Sequence, residues 1–86
     1  MNFKEKKYLM KVKSNAYKLK INGQIPYSLY IEIINLSYDS ELEDVKKLVF
    51  LSEKYMRVGG FYVRHPEEAY DCDKEIAGYK HTKKLK

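Results

Sequence analysis

"MKVKSNAYKLKINGQ", residues 10–24, alternates lysine with apolar side chains, slips one step in its middle and closes on Asn-Gly. Met10 and Val12 fall on one side of an extended chain and Lys11 and Lys13 on the other, the period of two that marks a half-buried strand. After Ser14-Asn15 the apolar set moves to Tyr17, Leu19 and Ile21, with Lys18 and Lys20 opposite. A one-residue slip turns a strand over, so a turn or bulge is expected near residues 14–16. Asn22-Gly23 is the favoured pair for a two-residue hairpin, because both positions tolerate positive φ. The returning strand is expected over residues 25–36. It sets Tyr27, Leu29, Ile31 and Ile33 on one face and Pro26 at its start or on an edge, where a missing donor is tolerated.

Working outward, the next segment carries helix punctuation. Ser40 and Glu43 make a capping box, with Asp39 as a competing cap. Leu42, Val45, Leu48, Val49, Ser52, Tyr55 and Met56 then recur at helical spacing, and Gly59-Gly60 supplies a left-handed exit. Residues 61–64 read as a short strand. Pro66 suits a first helical position, with Glu67 and Glu68 complementing the dipole of a helix over residues 66–79. That helix buries Ala69, Cys72, Ile76 and Tyr79, ends near Gly78, and leaves a basic tail over residues 80–86. The expected fold class is α+β: a three-stranded antiparallel sheet packed by a helix, then a short fourth strand and a C-terminal helix. Its 86 residues form one small domain with a thin core.

Charge is unevenly placed. Residues 1–20 carry seven lysines against Glu5, residues 74–86 carry five lysines against Glu75, and residues 21–73 set five cations against ten acids. The chain thus has basic ends around an acidic middle. Lysine outnumbers arginine fifteen to two, a bias that suits an AT-rich coding sequence, as in a mobile element, better than selection for phosphate reading. Cys72 is the single cysteine, so neither an internal disulfide nor a cysteine metal cluster is expected, and a reduced, cytoplasmic setting is the default. The opening MNFKEKK is too charged for a secretory leader, and the apolar runs at residues 29–36 and 45–51 are too short to span a bilayer. No repeat, linker or cofactor motif is present, and no cofactor is expected.

Function therefore rests on surfaces. On the strand reading Lys11, Lys13, Lys18 and Lys20 share the solvent face with Ser28, Tyr30 and Glu32. Such a face tracks phosphates while Tyr30 stacks on an exposed base. The plain alternative is that any one-sided sheet needs a polar wet side, and Glu32 on the same face opposes binding. His81, Lys83, Lys84 and Lys86 would add an electrostatic arm. A second reading is a phage-type or mobile-element inhibitor or adaptor, docking on a nucleic-acid enzyme or nucleoprotein through Tyr38, Tyr70, Glu67 and Glu68. Arg64, His65 and Tyr62 are the one cluster resembling a ribonuclease site. Strand alternation separates His65 from the other two, so no enzyme is expected. The first expectation is a non-enzymatic protein that contacts nucleic acid, DNA or RNA.

Overall fold

The computed structural model describes residues 1–84, and every regular element among them is helical. The chain forms α1 (Phe3–Ile21), α2 (Tyr27–Ile34), α3 (Leu42–Tyr55), the single turn α4 (Phe61–Arg64), a 3₁₀ turn (Pro66–Ala69) and α5 (Tyr70–Lys84). No strand occurs among the described residues, so the α+β expectation is wrong and the fold is a small all-α one.

The opening stretch misled through its own phase slip. Leu9, Val12, Ala16 and Leu19 stand three, four and three residues apart, one face of a 3.6-residue period. Leu9 and Ala16 are buried there, and Val12 and Leu19 pack against them. An alternating pattern that changes register after a turn and a half is what such a helix looks like when read two residues at a time. Its start is fixed by a capping box: the Asn2 side chain accepts from the Glu5 amide at 2.9 Å and the Asn2 amide donates to Glu5 Oε1 at 3.0 Å.

Asn22-Gly23 is a turn, but it ends a helix instead of joining strands. The Gly23 amide donates to the Lys20 carbonyl at 3.0 Å and the Gln24 amide to the Leu19 carbonyl at 2.8 Å, with Gly23 at φ +64°. These are the paired bonds of a Schellman cap. The same turn docks on the loop before α4. The Gly60 amide donates to the Asn22 carbonyl at 2.6 Å, and the Tyr62 amide to the Gly23 carbonyl at 3.0 Å.

Residues 25–36, expected as a strand, instead fold into α2, with Leu29 and Ile33 buried four residues apart and Ile25 and Leu36 buried at its ends. Pro26 precedes the first turn with φ −63°, a backbone angle already suited to a helix start. Tyr27, expected on the core face, is 65% exposed. α2 packs against α1 and α3 on one side and α5 on the other.

α3 follows the sequence reading in part: Val45, Leu48, Ser52 and Tyr55 are buried as expected, Leu51 joins them, and Met56, expected on that face, lies past the helix end and is exposed. The cap differs. The Ser40 hydroxyl accepts from the Ser37 amide at 2.9 Å, closing the preceding turn, and Glu41 takes the N-cap position without a side-chain bond. The exit also differs, because Met56 is already extended and Gly60, at φ +79°, instead precedes α4. Residues 61–64, expected as a strand, form that turn. The helix expected over residues 66–79 is 3₁₀ up to Ala69 and then α through Lys84, so Gly78 lies inside it and the start of the basic tail is helical. Leu85 and Lys86 of that tail lie outside the described residues.

The molecule measures 39 × 30 × 17 Å. Its thinnest dimension is less than two helix diameters, so α1 keeps a full face in water.

Candidate nucleic-acid interface

In α1 the seven lysines fall on two stripes. Lys6, Lys13 and Lys20 repeat every seven residues, as do Lys4, Lys11 and Lys18, with Lys7 beside the second set. Lys11 and Lys13 are roughly 160° apart around the axis. The four lysines expected on one sheet face are therefore two pairs, Lys13 with Lys20 and Lys11 with Lys18, on opposite flanks. Between the flanks runs an exposed line of Phe3, Met10, Tyr17 and Ile21.

Among the described residues none of these seven lysines has a carboxylate within ion-pair distance. Three lysines elsewhere do: Lys54 with Glu75, Lys80 with Glu32 at 3.0 Å, and Lys83 with Asp44. The α1 charges also oppose their own helix. Lys4 and Lys6 sit near the positive end of its dipole, and Lys7 and Lys11 repel at a spacing of four, each a cost of a few tenths of a kcal/mol. Only Lys18 and Lys20, in the last turn, complement the dipole, so most of the cations in this helix do not favour its own backbone.

The Lys6–Lys13–Lys20 flank faces α2 and the chain that follows it. Lys6 Nζ lies 5.1 Å from the Tyr38 ring centre, and Lys20 Nζ lies 5.1 Å from Tyr17 and 5.0 Å from Tyr30. The Tyr30 ring is in turn 6.3 Å from Tyr17 and 6.2 Å from Tyr27, both tilted. Between the aromatic ends, Lys13 and Tyr38 flank a notch of about 270 Å³ floored by Leu9 and Leu36. Helical periodicity removes two expected members of this face. Ser28 donates to Asp73 and Glu32 pairs with Lys80, so both turn toward α5, and the acid expected beside the lysines is absent from their face.

Other expected sites are dispersed. Lys83 lies beside Asp44 at the start of α3, held by a carboxylate that also accepts from the Tyr79 hydroxyl. Lys84 is exposed at the last described position. Tyr38 sits near the chain start, where the terminal ammonium donates to its carbonyl at 3.2 Å. Tyr70, Glu67 and Glu68 are exposed at the other end of α5, roughly 20 Å along its axis from Lys83. They do not form one patch with Tyr38.

The ribonuclease-like trio is also split. The Tyr62 hydroxyl is buried and donates to the Tyr55 carbonyl at 2.6 Å, Arg64 reaches back to the Gly59 carbonyl, and His65 stands in water 3.7 Å from Glu67. Burial pushes the Cys72 thiol up to about 12, helped by Asp73 and Glu75, which keeps it protonated and unreactive at neutral pH. No group of three metal-binding side chains comes together among the described residues, and none of their helices is long and apolar enough to cross a membrane.

Sequence reading missed Lys6, Tyr17 and Tyr27 as partners of Lys13, Lys20 and Tyr30. The signal was present in the sevenfold repeats 6-13-20 and 3-10-17, which mark two helical turns and have no meaning on a strand. No protein family, curated protein or solved structure matches the chain.

Proposed function

We propose that this is a non-enzymatic protein that binds nucleic acid through phosphate contacts from the lysines of α1. The observation that carries this reading is charge density: seven lysines crowd one helix with no carboxylate at ion-pair distance among the described residues, whereas of the described lysines elsewhere Lys54, Lys80 and Lys83 are matched by an acid and Lys46, Lys47, Lys74 and Lys84 are not. An uncompensated cationic face raises the local concentration of a polyanion and gains free energy from released counterions. Lysine, a point charge without a planar fork, suits phosphates more than base edges, so affinity with little sequence preference is expected. A reduced cytoplasmic setting belongs to the same proposal, supported by the single buried cysteine.

The test is a titration of labelled single- and double-stranded oligonucleotides at two salt concentrations. Neutralising Lys11, Lys13, Lys18 and Lys20 to Gln should weaken binding on all sequences alike. It should flatten the log–log salt slope by about 0.7 to 0.9 for each phosphate that no longer meets a lysine. Absence of salt-sensitive binding by the wild type would overturn the proposal. A nuclease-resistant protein complex anchored by Tyr70, Glu67 and Glu68 would then support the inhibitor or adaptor reading.

A further inference from the structure

We propose that the cleft along α1 and α2 is the path of a single nucleic-acid strand. Its phosphates lie on Lys6, Lys13 and Lys20, one base sits in the notch beside Lys13, and another stacks on the Tyr17–Tyr30–Tyr27 cluster. This rests on the nucleic-acid reading above and adds to it the strand type, the path and the division of labour between the two lysine stripes.

Three features lead there. The lysines that line the cleft repeat every seven residues, roughly 10 Å apart along the axis, which makes a straight cationic track about 20 Å long. Tyrosine rings are interleaved with that track, while beside the other stripe Lys7 lies over the Phe3 ring at 5.4 Å. Lys6 and Lys20 each lie over tyrosine rings, whereas the Lys4–Lys11–Lys18 stripe has no ring partner among the described residues. The notch between them, about 270 Å³ with an apolar floor of Leu9 and Leu36, exceeds the roughly 150 Å³ that accommodates a benzene ring.

An unpaired strand offers what this arrangement recognises, a phosphate line with bases free to present their π-faces, whereas a duplex keeps its bases stacked inside. Tyr17 and Tyr27 are 50% and 65% exposed, leaving ring surface for a base while Tyr30 braces both from behind. Other occupants fit less well. A second copy would bring seven lysines against seven. The exposed apolar line is one residue wide, with Phe3, Met10 and Tyr17 two turns apart, too sparse to bury in a bilayer surface.

The experiment compares short single strands with duplexes of equal length by anisotropy, using wild type, the triple variant K6Q/K13Q/K20Q, the stripe variant K4Q/K11Q/K18Q, and Y27A. Circular dichroism checks that each is folded. Tyr27 is exposed enough for its truncation to leave the core intact. Preference for the single strand is expected, with Y27A weakening it about tenfold, the scale of one stacked base. The cleft triple should flatten the single-strand salt slope by about 2, one increment for each of its three phosphates, and the other stripe should change it less. Because the chain has no tryptophan, quenching of tyrosine fluorescence by the bound strand gives an independent reading of stacking. Equal or better duplex binding, a neutral Y27A, equivalent lysine stripes, or tighter binding to phosphatidylserine vesicles would each overturn the path. The first three outcomes would leave the nucleic-acid reading standing, whereas failure to bind either form would remove both.

Discussion

Two glycines show how position decides the sign of one substitution. Gly23 has φ +64°, and a Cβ there would meet the Gly60 Cα and the Val63 side chain at 3.0 Å. Gly23→Ala should destabilise by about 1 to 2 kcal/mol for the left-handed backbone alone, and by more for the backbone it strikes. Gly78 lies inside α5 with nothing within 4 Å of a Cβ. There Ala adds helix propensity at no steric cost, and Gly78→Ala should stabilise by about 0.5 to 1 kcal/mol. Urea unfolding of the two variants should move the midpoint in opposite directions. Equal shifts would mean that the α1–α2 turn is not held in the left-handed form. In the core, Leu48 is 5% exposed, and Leu48→Ala should cost about 2 to 5 kcal/mol, a large part of what a domain of this size has.

At the scale of elements, α3 was legible because its apolar residues recur over fourteen positions, long enough for the helical period to be unmistakable. α2 was not legible. Its eight residues are YSLYIEII, rich in β-branched and aromatic side chains, and their local preference is for strand. Leu29 and Ile33 become helical neighbours only because α1, α3 and α5 provide a surface that rewards that spacing, a tertiary effect that no local pattern records. A peptide covering residues 25–36 should accordingly show no helical circular dichroism in water, and a strongly helical spectrum would contradict this account. α1 lies between these cases. Its Asn2–Glu5 capping box and its sevenfold lysine repeat were readable, but a strand pattern over residues 10–13 and Asn-Gly at 22–23 pointed equally well to a hairpin. Lys11, Lys13, Lys18, Lys20 and Tyr30 were named from a strand alternation that the fold does not contain, and Lys6 was missed. Their division into two stripes needed the helix, and so did the transfer of Ser28 and Glu32 to the α5 side. Asn2→Ala should cost about 1 kcal/mol, measurable as fraying at the chain start by hydrogen exchange.

For the whole molecule, the groups whose protonation is tied to the fold lie away from the α1 lysines. The Glu75 carboxyl is held below its usual range, first by Lys54 and then by the Tyr55 hydroxyl. That contribution is present above the ordinary carboxylate range and is lost as pH falls through the lowered value. Burial, with the Glu75 hydrogen bond second, pushes Tyr55 up to about 12, and burial raises Cys72 to about 12 as well. Stability from these two is complete below their ordinary values and is lost as pH rises toward 12, because the unfolded chain releases its protons first. The fold should therefore be most stable on a plateau between mildly acidic pH and about 9. The proposed binding depends on the α1 lysines, and neither histidine lies on the α1 face: His65 follows α4 and His81 is within α5. Affinity for a single strand at fixed ionic strength should thus be constant from about pH 6 to 9. It should fall only where the fold itself begins to weaken. Anisotropy titrations across that range, with ellipticity followed in parallel, check this. A step in affinity within that range without a change in ellipticity would overturn the α1 lysines as the binding surface.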